Sequence, residues 1–243
     1  MKYLVLVGMA LSSVAFADDD LLPANRPNFS SNAEIVPYRM AILETGATYQ
    51  RKGKDLTLSG IEGELRLGYA HNWEFDFFIP NYTSGASPRG WGDAGVQFVR
   101  QLPSFGGWNM VFAGGATLPS GQASLTGGAI NPNVYVSVDH NLPNDMQVTD
   151  TLAVAWQNAN GSLVPNYSNA FMISKDYGKG LGAFCELYTQ AAVANPTGQT
   201  IHFGVTFAHT GKQQLDFHLG RNIAGGSDNN WFVGLGFSQK VGV

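Results

Sequence analysis

Ile201-His202-Phe203-Gly204-Val205-Thr206-Phe207 and Trp231-Phe232-Val233-Gly234-Leu235-Gly236-Phe237 alternate large apolar residues with small or polar ones. A period of two is that of a β-strand, whose successive side chains point to opposite faces. Leu65, Leu67, Tyr69 and Trp73, Phe75, Phe77, Ile79 continue the pattern, and no helical period interrupts it. Segments of about ten residues repeated in this way specify an all-β fold, a transmembrane antiparallel up-and-down β-barrel with an apolar outside and a polar inside.

Working outward from these segments, twelve strands are predicted at 40–50, 56–69, 73–82, 91–101, 108–118, 132–140, 146–157, 165–175, 181–192, 200–209, 213–222 and 230–241. Their connections alternate in length. Ala70-His71-Asn72, Pro103 to Gly107, Asn141 to Asp145, Tyr177 to Gly180 and Thr210-Gly211-Lys212 are tight. Gln50 to Asp55, Thr83 to Gly90, Pro119 to Asn131, Asn158 to Val164, Ala194 to Gln199 and Ile223 to Asn229 are longer and polar. Outer-membrane barrels keep short turns in the periplasm and longer loops outside, so both chain ends are expected on the periplasmic side. Trp73, Trp91, Trp108, Trp156 and Trp231 all fall near strand ends, the headgroup level favoured by an amphipathic ring.

Composition agrees with this class. Charged residues are only 13%, with 30 glycines and 12% aromatics, yet the mean hydropathy is −0.07. Outward apolar residues averaged against inward polar ones give that value without any long hydrophobic run. The start reads as a signal peptide over residues 1–17: Lys2, the apolar run Leu4 to Leu11, and Ala15-Phe16-Ala17 as the cleavage site. Cleavage leaves the 14 basic residues less Lys2 against 18 acidic ones, a net of −5, which disfavours nucleic acid as a partner. Residues 18–37 form a Pro- and Asn-rich leader, either a periplasmic strap or a plug, and residues 38–243 the barrel. Cys185 is the only cysteine, so no disulfide forms within the chain.

If the apolar face meets lipid, the opposite face lines the interior, and its chemistry is acidic. The candidates are Glu44, then Glu62, Glu64 and Arg66, then Glu74 and Asp76, then Asp93, and further along Glu186, His202, Asp216, His218 and Lys240. A ring of carboxylates suits a conduit for cations or polar solutes. The same residues suit interior ion pairs that hold a barrel shut, and twelve strands allow either outcome. With the last strand closing on the first, Lys240 and His218 are expected near the acidic wall. No histidine has a serine two positions later, so a hydrolytic site on one strand is not encoded, and polar wall residues explain His202, His218, Ser238 and Asp216. His202 and His209 differ in parity and face opposite sides of one strand, so neither a metal nor another cofactor is expected.

The leader Arg26-Pro27-Asn28-Phe29-Ser30 with Glu34 and Val36-Pro37, followed by Leu43-Glu44-Thr45-Gly46, resembles the outer-membrane transporter family linked to the meta-pathway of phenol degradation. Gly92-Asp93-Ala94-Gly95-Val96, Thr117-Leu118-Pro119-Ser120-Gly121 and Trp231-Phe232-Val233-Gly234-Leu235-Gly236 extend the resemblance over most of the mature chain. It implies an outer-membrane barrel that helps aromatic or other small hydrophobic compounds enter, and it implies no catalytic residues. The expected function is passive uptake of a small molecule across the outer membrane, with membrane lipid as the surrounding partner. The alternatives are a closed structural or surface-binding barrel and, third, a lipid-modifying barrel enzyme.

Overall fold

The alternating segments pair with their neighbours in chain order, and the last returns to the first. The structure, a computed structural model, describes residues 23–85, 88–159, 161–192, 195–225 and 230–242. The expected signal peptide lies outside these residues. The elements are β1 (Met40–Lys52), β2 (Asp55–Gly60), β3 (Gly63–Ala70), β4 (Trp73–Ile79), β5 (Tyr82–Gly85), β6 (Gly90–Trp91), β7 (Ala94–Phe105) and β8 (Trp108–Leu118). They continue with β9 (Asn131–Leu142), β10 (Met146–Ala159), β11 (Ser162–Asp176), β12 (Leu181–Ala192), β13 (Asn195–Thr210), β14 (Gln213–Ala224) and β15 (Trp231–Gly242). β15 closes the sheet on β1 over the full length of both, from Met40 opposite Gly242 to Arg51 opposite Trp231.

These elements make a closed antiparallel barrel of twelve staves. β2 and β3 are two halves of one stave, β4 and β5 of the next, β6 and β7 of the third, because β2 pairs β5, β5 pairs β6, β3 pairs β4 and β4 pairs β7. The predicted strand 56–69 is therefore broken at Ile61-Glu62, the next at Pro80-Asn81 and the next at Gly92-Asp93. These breaks sit side by side. Pro80 has no N–H to give a ladder, and Ile61 takes the left-handed conformation, φ 57°. Backbone groups at the break stay satisfied: Glu62 N donates to Gly46 O (3.1 Å) and Gly92 N to Asn81 O (2.9 Å). Part of the predicted loop Thr83 to Gly90 belongs to the wall as β5 and β6.

Parity then sorts the side chains. Leu43, Phe77, Phe98, Phe112, Leu152, Phe171, Phe203, Phe217 and Leu235 project outward and are exposed. So continuous an apolar belt is stable only against lipid or another apolar surface. Inward-facing Glu44, Arg66, Glu74, Asp76, Ser137, Thr149, Glu186 and His202 are buried. What buries them is the leader. Ala24 and Val36 pack on Ile42, and Ile35 packs on the cluster Val99, Val111 and Ala113. Residues 23–37 thus run inside the barrel, occupying width that twelve staves leave open and wall side chains alone do not fill.

Candidate functional site

Two polar sectors of the wall face each other across the lumen. The first is built by β1, β3, β4 and β7, whose register sets Glu44 opposite Glu64 and Arg66 opposite Asp76. Arg66 is 2% exposed. Its Nε lies 2.9 Å from Glu74 Oε1 and its Nη1 3.2 Å from Glu44 Oε1. Gln97 Nε2 donates to Asp76 Oδ2 at 3.2 Å. One guanidinium cannot satisfy so many buried carboxylate oxygens, and an uncompensated buried charge costs several kcal/mol.

The leader supplies the missing donors. Asn25 N and Arg26 N donate to the two oxygens of Glu44 at 3.0 and 2.7 Å, and Val36 N donates to Glu74 Oε2. Arg66 in turn donates to Pro23 O. Farther round the wall, Ser31 N donates to Thr151 Oγ1 (3.1 Å) and Ile35 N to Gln101 Oε1 (3.2 Å), while Gln101 Nε2 donates to Ala33 O (2.9 Å). A Pro- and Asn-rich segment forms no ladder of its own, so its N–H and C=O groups are available to the wall.

The second sector lies on β12, β13 and β14. Glu186 accepts Phe29 N at 2.9 Å and Ser30 N at 2.6 Å. The same carboxylate holds His202 Nδ1 at 2.8 Å, and His202 Nε2 meets His218 Nδ1 at 3.0 Å. Those three side chains form one buried chain behind the leader. Phe29 stacks on Tyr188 with centroids 4.5 Å apart, and His202 and Phe232 border it at 5.0 and 5.8 Å. Its other side is exposed, at 43%, so the ring sits in an aromatic recess rather than in a closed core.

Arg26 joins the two sectors. Its Nη1 is 3.2 Å from Glu62 and its Nε 3.5 Å from Asp216. The guanidinium lies on glycines of β1 and β15: a Cβ would fall 2.2 Å from it at Gly46 and 2.3 Å from it at Gly236. Any side chain there would take its place. Below the leader, toward the short-turn end, a cavity of about 630 Å³ opens between residues 23–37 and β9 to β15, lined in part by Asn28, Glu34, Asp139 and Lys240.

Of the residues singled out in the sequence, Glu44, Glu64, Arg66, Glu74 and Asp76 come together in the first sector, Glu186, His202 and His218 in the second. Glu62 and Asp216 share Arg26. Three depart from expectation. Asp93 precedes β7 at the break, where the loop after β8 captures it: Gly121 N and Gly127 N donate to its two oxygens at 2.7 and 2.9 Å. Partial burial would push that carboxyl up, but these N–H groups hold it below the usual carboxylate range. Lys240 stands opposite Ile42 near the short-turn end and lines the cavity. The cation that reaches across the lumen is instead Arg26, the only basic residue in 18–37, and His218 meets His202 rather than the acidic wall. Arg26 carried a legible signal, a lone cation in a leader facing an acid-rich wall. Tyr188 and Phe232 carried none beyond inward parity.

No model of a known protein family matches the chain, and no curated protein matches it in sequence. Among solved structures, the COG4313 outer membrane channel from Pseudomonas putida F1 superimposes with a TM-score of 0.64 at 15% identity, covering 86% of this chain and 98% of that one. The NanC porin gives 0.62 at 10% identity over 82% and 100%. The KdgM porin in complex with disordered oligogalacturonate gives 0.61 at 10% identity over 82% and 98%. The barrel described above is thus the fold of outer-membrane, porin-like channels.

Proposed function

We propose that this protein is an outer-membrane channel for passive uptake of small molecules, its leader lying in the path and its two polar sectors lining the route. The observation that carries the reading is how the lumen is filled. A barrel closed for structure alone packs its interior with wall side chains. Here the wall carboxylates Glu44, Glu74 and Glu186 accept amides of a segment, residues 25–36, that precedes β1 and belongs to no strand. Such a segment can leave without unpairing a strand. The short turns then face the periplasm and the long loops the outside, which places the 630 Å³ cavity at the exit.

The recess of Tyr188, His202 and Phe232 supports an aromatic permeant, as the resemblance to the phenol-degradation family implies. Phe29 already occupies it, and a free aromatic molecule gains the same stacking. The test is single-channel conductance of the refolded mature protein beside a form starting at Val36. Larger steps in the trimmed form, with phenol passing faster than cyclohexanol into liposomes, are the expected result. Silence from both forms, each shown to be folded and inserted, would leave a closed barrel.

A further inference from the structure

The outer face at the β1–β15 seam carries a feature that passage through the lumen does not use. At the long-loop end the register aligns Leu56, Arg51, Trp231, Arg221 and Ile201 in one row across β2, β1, β15, β14 and β13. Arg51 and Arg221 have the odd parity of Leu43, Leu235 and Phe217, so both point outward. Among the described residues they are the only arginines or lysines at outward strand positions in the long-loop half. The next row down, Leu58, Tyr49, Val233, Leu219 and Phe203, is apolar throughout.

We propose that Arg51, Trp231 and Arg221 form a binding site for a phosphorylated glycolipid headgroup of the outer leaflet. The apolar row fixes the depth, since two residues along a strand separate hydrocarbon from headgroup, about 7 Å before tilt. Neighbouring strands lie about 4.8 Å apart, so the two guanidinium arms rise from backbones about 10 Å apart with the indole between them. That span suits a headgroup bearing two phosphates, each met by a planar fork that matches phosphate geometry. Arg51 Nε donates to Gly53 O at 2.9 Å, which fixes that arm at the boundary. Trp231 packs against Tyr49 with ring centroids 5.9 Å apart and holds the interfacial level. Lys54, exposed on the adjoining turn, extends the positive surface beyond the boundary.

The proposal rests on the outer-membrane placement above but not on conduction. The experiment is native mass spectrometry of the refolded mature chain in detergent with diphosphoryl lipid A, its dephosphorylated form and phosphatidylglycerol as probes. One retained copy of the diphosphoryl form is expected, with the dephosphorylated form lost. R51Q/R221Q should bind about a hundredfold more weakly, roughly tenfold per arginine, while R51K/R221K should fall between. Heat-modifiable gel mobility confirms that each variant is folded. Equal retention by the glutamine variant, or of the dephosphorylated lipid, overturns the proposal, and equal competition by phosphatidylglycerol overturns the glycolipid assignment. A barrel that binds the lipid yet conducts nothing defeats the channel reading alone; one that never inserts into a bilayer defeats both.

Discussion

Replacing Glu186 by glutamine tests whether the leader is held as the hydrogen bonds describe. The carboxylate accepts from Phe29 N at 2.9 Å, Ser30 N at 2.6 Å and His202 Nδ1 at 2.8 Å, using Oε2 twice and Oε1 once. An amide of the same shape has one oxygen and one NH₂, so in either orientation a donor faces a donor. One leader bond is then lost and the other loses its charge assistance. Charge-assisted bonds contribute about 1.5–3 kcal/mol and neutral ones about 1, so leader docking should weaken by about 3 kcal/mol. That corresponds to roughly two powers of ten in the undocked population. Amide exchange measures this population directly, because these N–H groups exchange only when the segment opens. Exchange across residues 23–37 should accelerate about a hundredfold in Glu186→Gln while β1 and β12 keep their protection. If those amides exchange at the wild-type rate in a folded variant, the Glu186 anchor is not what holds the leader, and the reasoning fails.

Two further substitutions probe other anchors. Gly236→Val places a side chain where Arg26 lies; overpacking of this kind costs about 1–3 kcal/mol, so exchange should rise first around residues 24–28. Unchanged exchange there would show that the guanidinium has another seat. Asp93→Asn weakens the clamp on the loop after β8, and proteolytic cleavage within residues 119–130 should quicken about tenfold. The wild-type clamp also carries a pH dependence. Because the folded carboxyl lies below its unfolded value, its contribution is complete above about pH 4 and is lost as pH falls through the folded pKa. Wild-type cleavage should therefore rise in that acid window while Asp93→Asn stays flat; parallel profiles would assign the clamp to other groups.

Period-two alternation located the staves because lipid demands an unbroken apolar face, and the count of twelve follows from it. What the alternation did not contain was the line of breaks at Ile61-Glu62, Pro80-Asn81 and Gly92-Asp93, since a break that keeps the inside–outside parity of both halves leaves the pattern nearly intact. Only Pro80 marks it locally. Inward parity also identified Glu44, Arg66, Glu74, Glu186 and His202 as wall residues, but not their partners. The partners of the carboxylates include the backbone amides of Asn25, Arg26, Phe29, Ser30 and Val36, and a backbone amide has no sequence signature. Asp93 was misplaced for a related reason: its parity matches Gln97, yet the strand between them begins only at Ala94, and loop glycines reach it first.

The interior chemistry argues that occupancy by the leader is the resting arrangement of the proposed channel. The sectors gather Glu44, Glu64, Glu74, Asp76, Glu186 and Asp216, against which, among the described residues, the inner face of the wall offers Arg66 as its one arginine. Withdrawal of the leader removes the Arg26 guanidinium from Asp216 and the amide donors of Asn25, Arg26, Phe29, Ser30 and Val36 from three carboxylates. Buried carboxylates stripped of donors are costly unless water or cations replace them. In the proposed channel an opened lumen must therefore be a wet one, and the oxygens of Glu44, Glu74 and Glu186 that accept leader amides in the docked state are open to cations only then. On the same proposal, an aromatic solute entering that wet path competes with Phe29 for Tyr188 and Phe232 while leaving the carboxylates to solvent. Under the proposed channel function, the leader sets two thresholds at once, an electrostatic one for opening and a stacking one for which solute is favoured to open it.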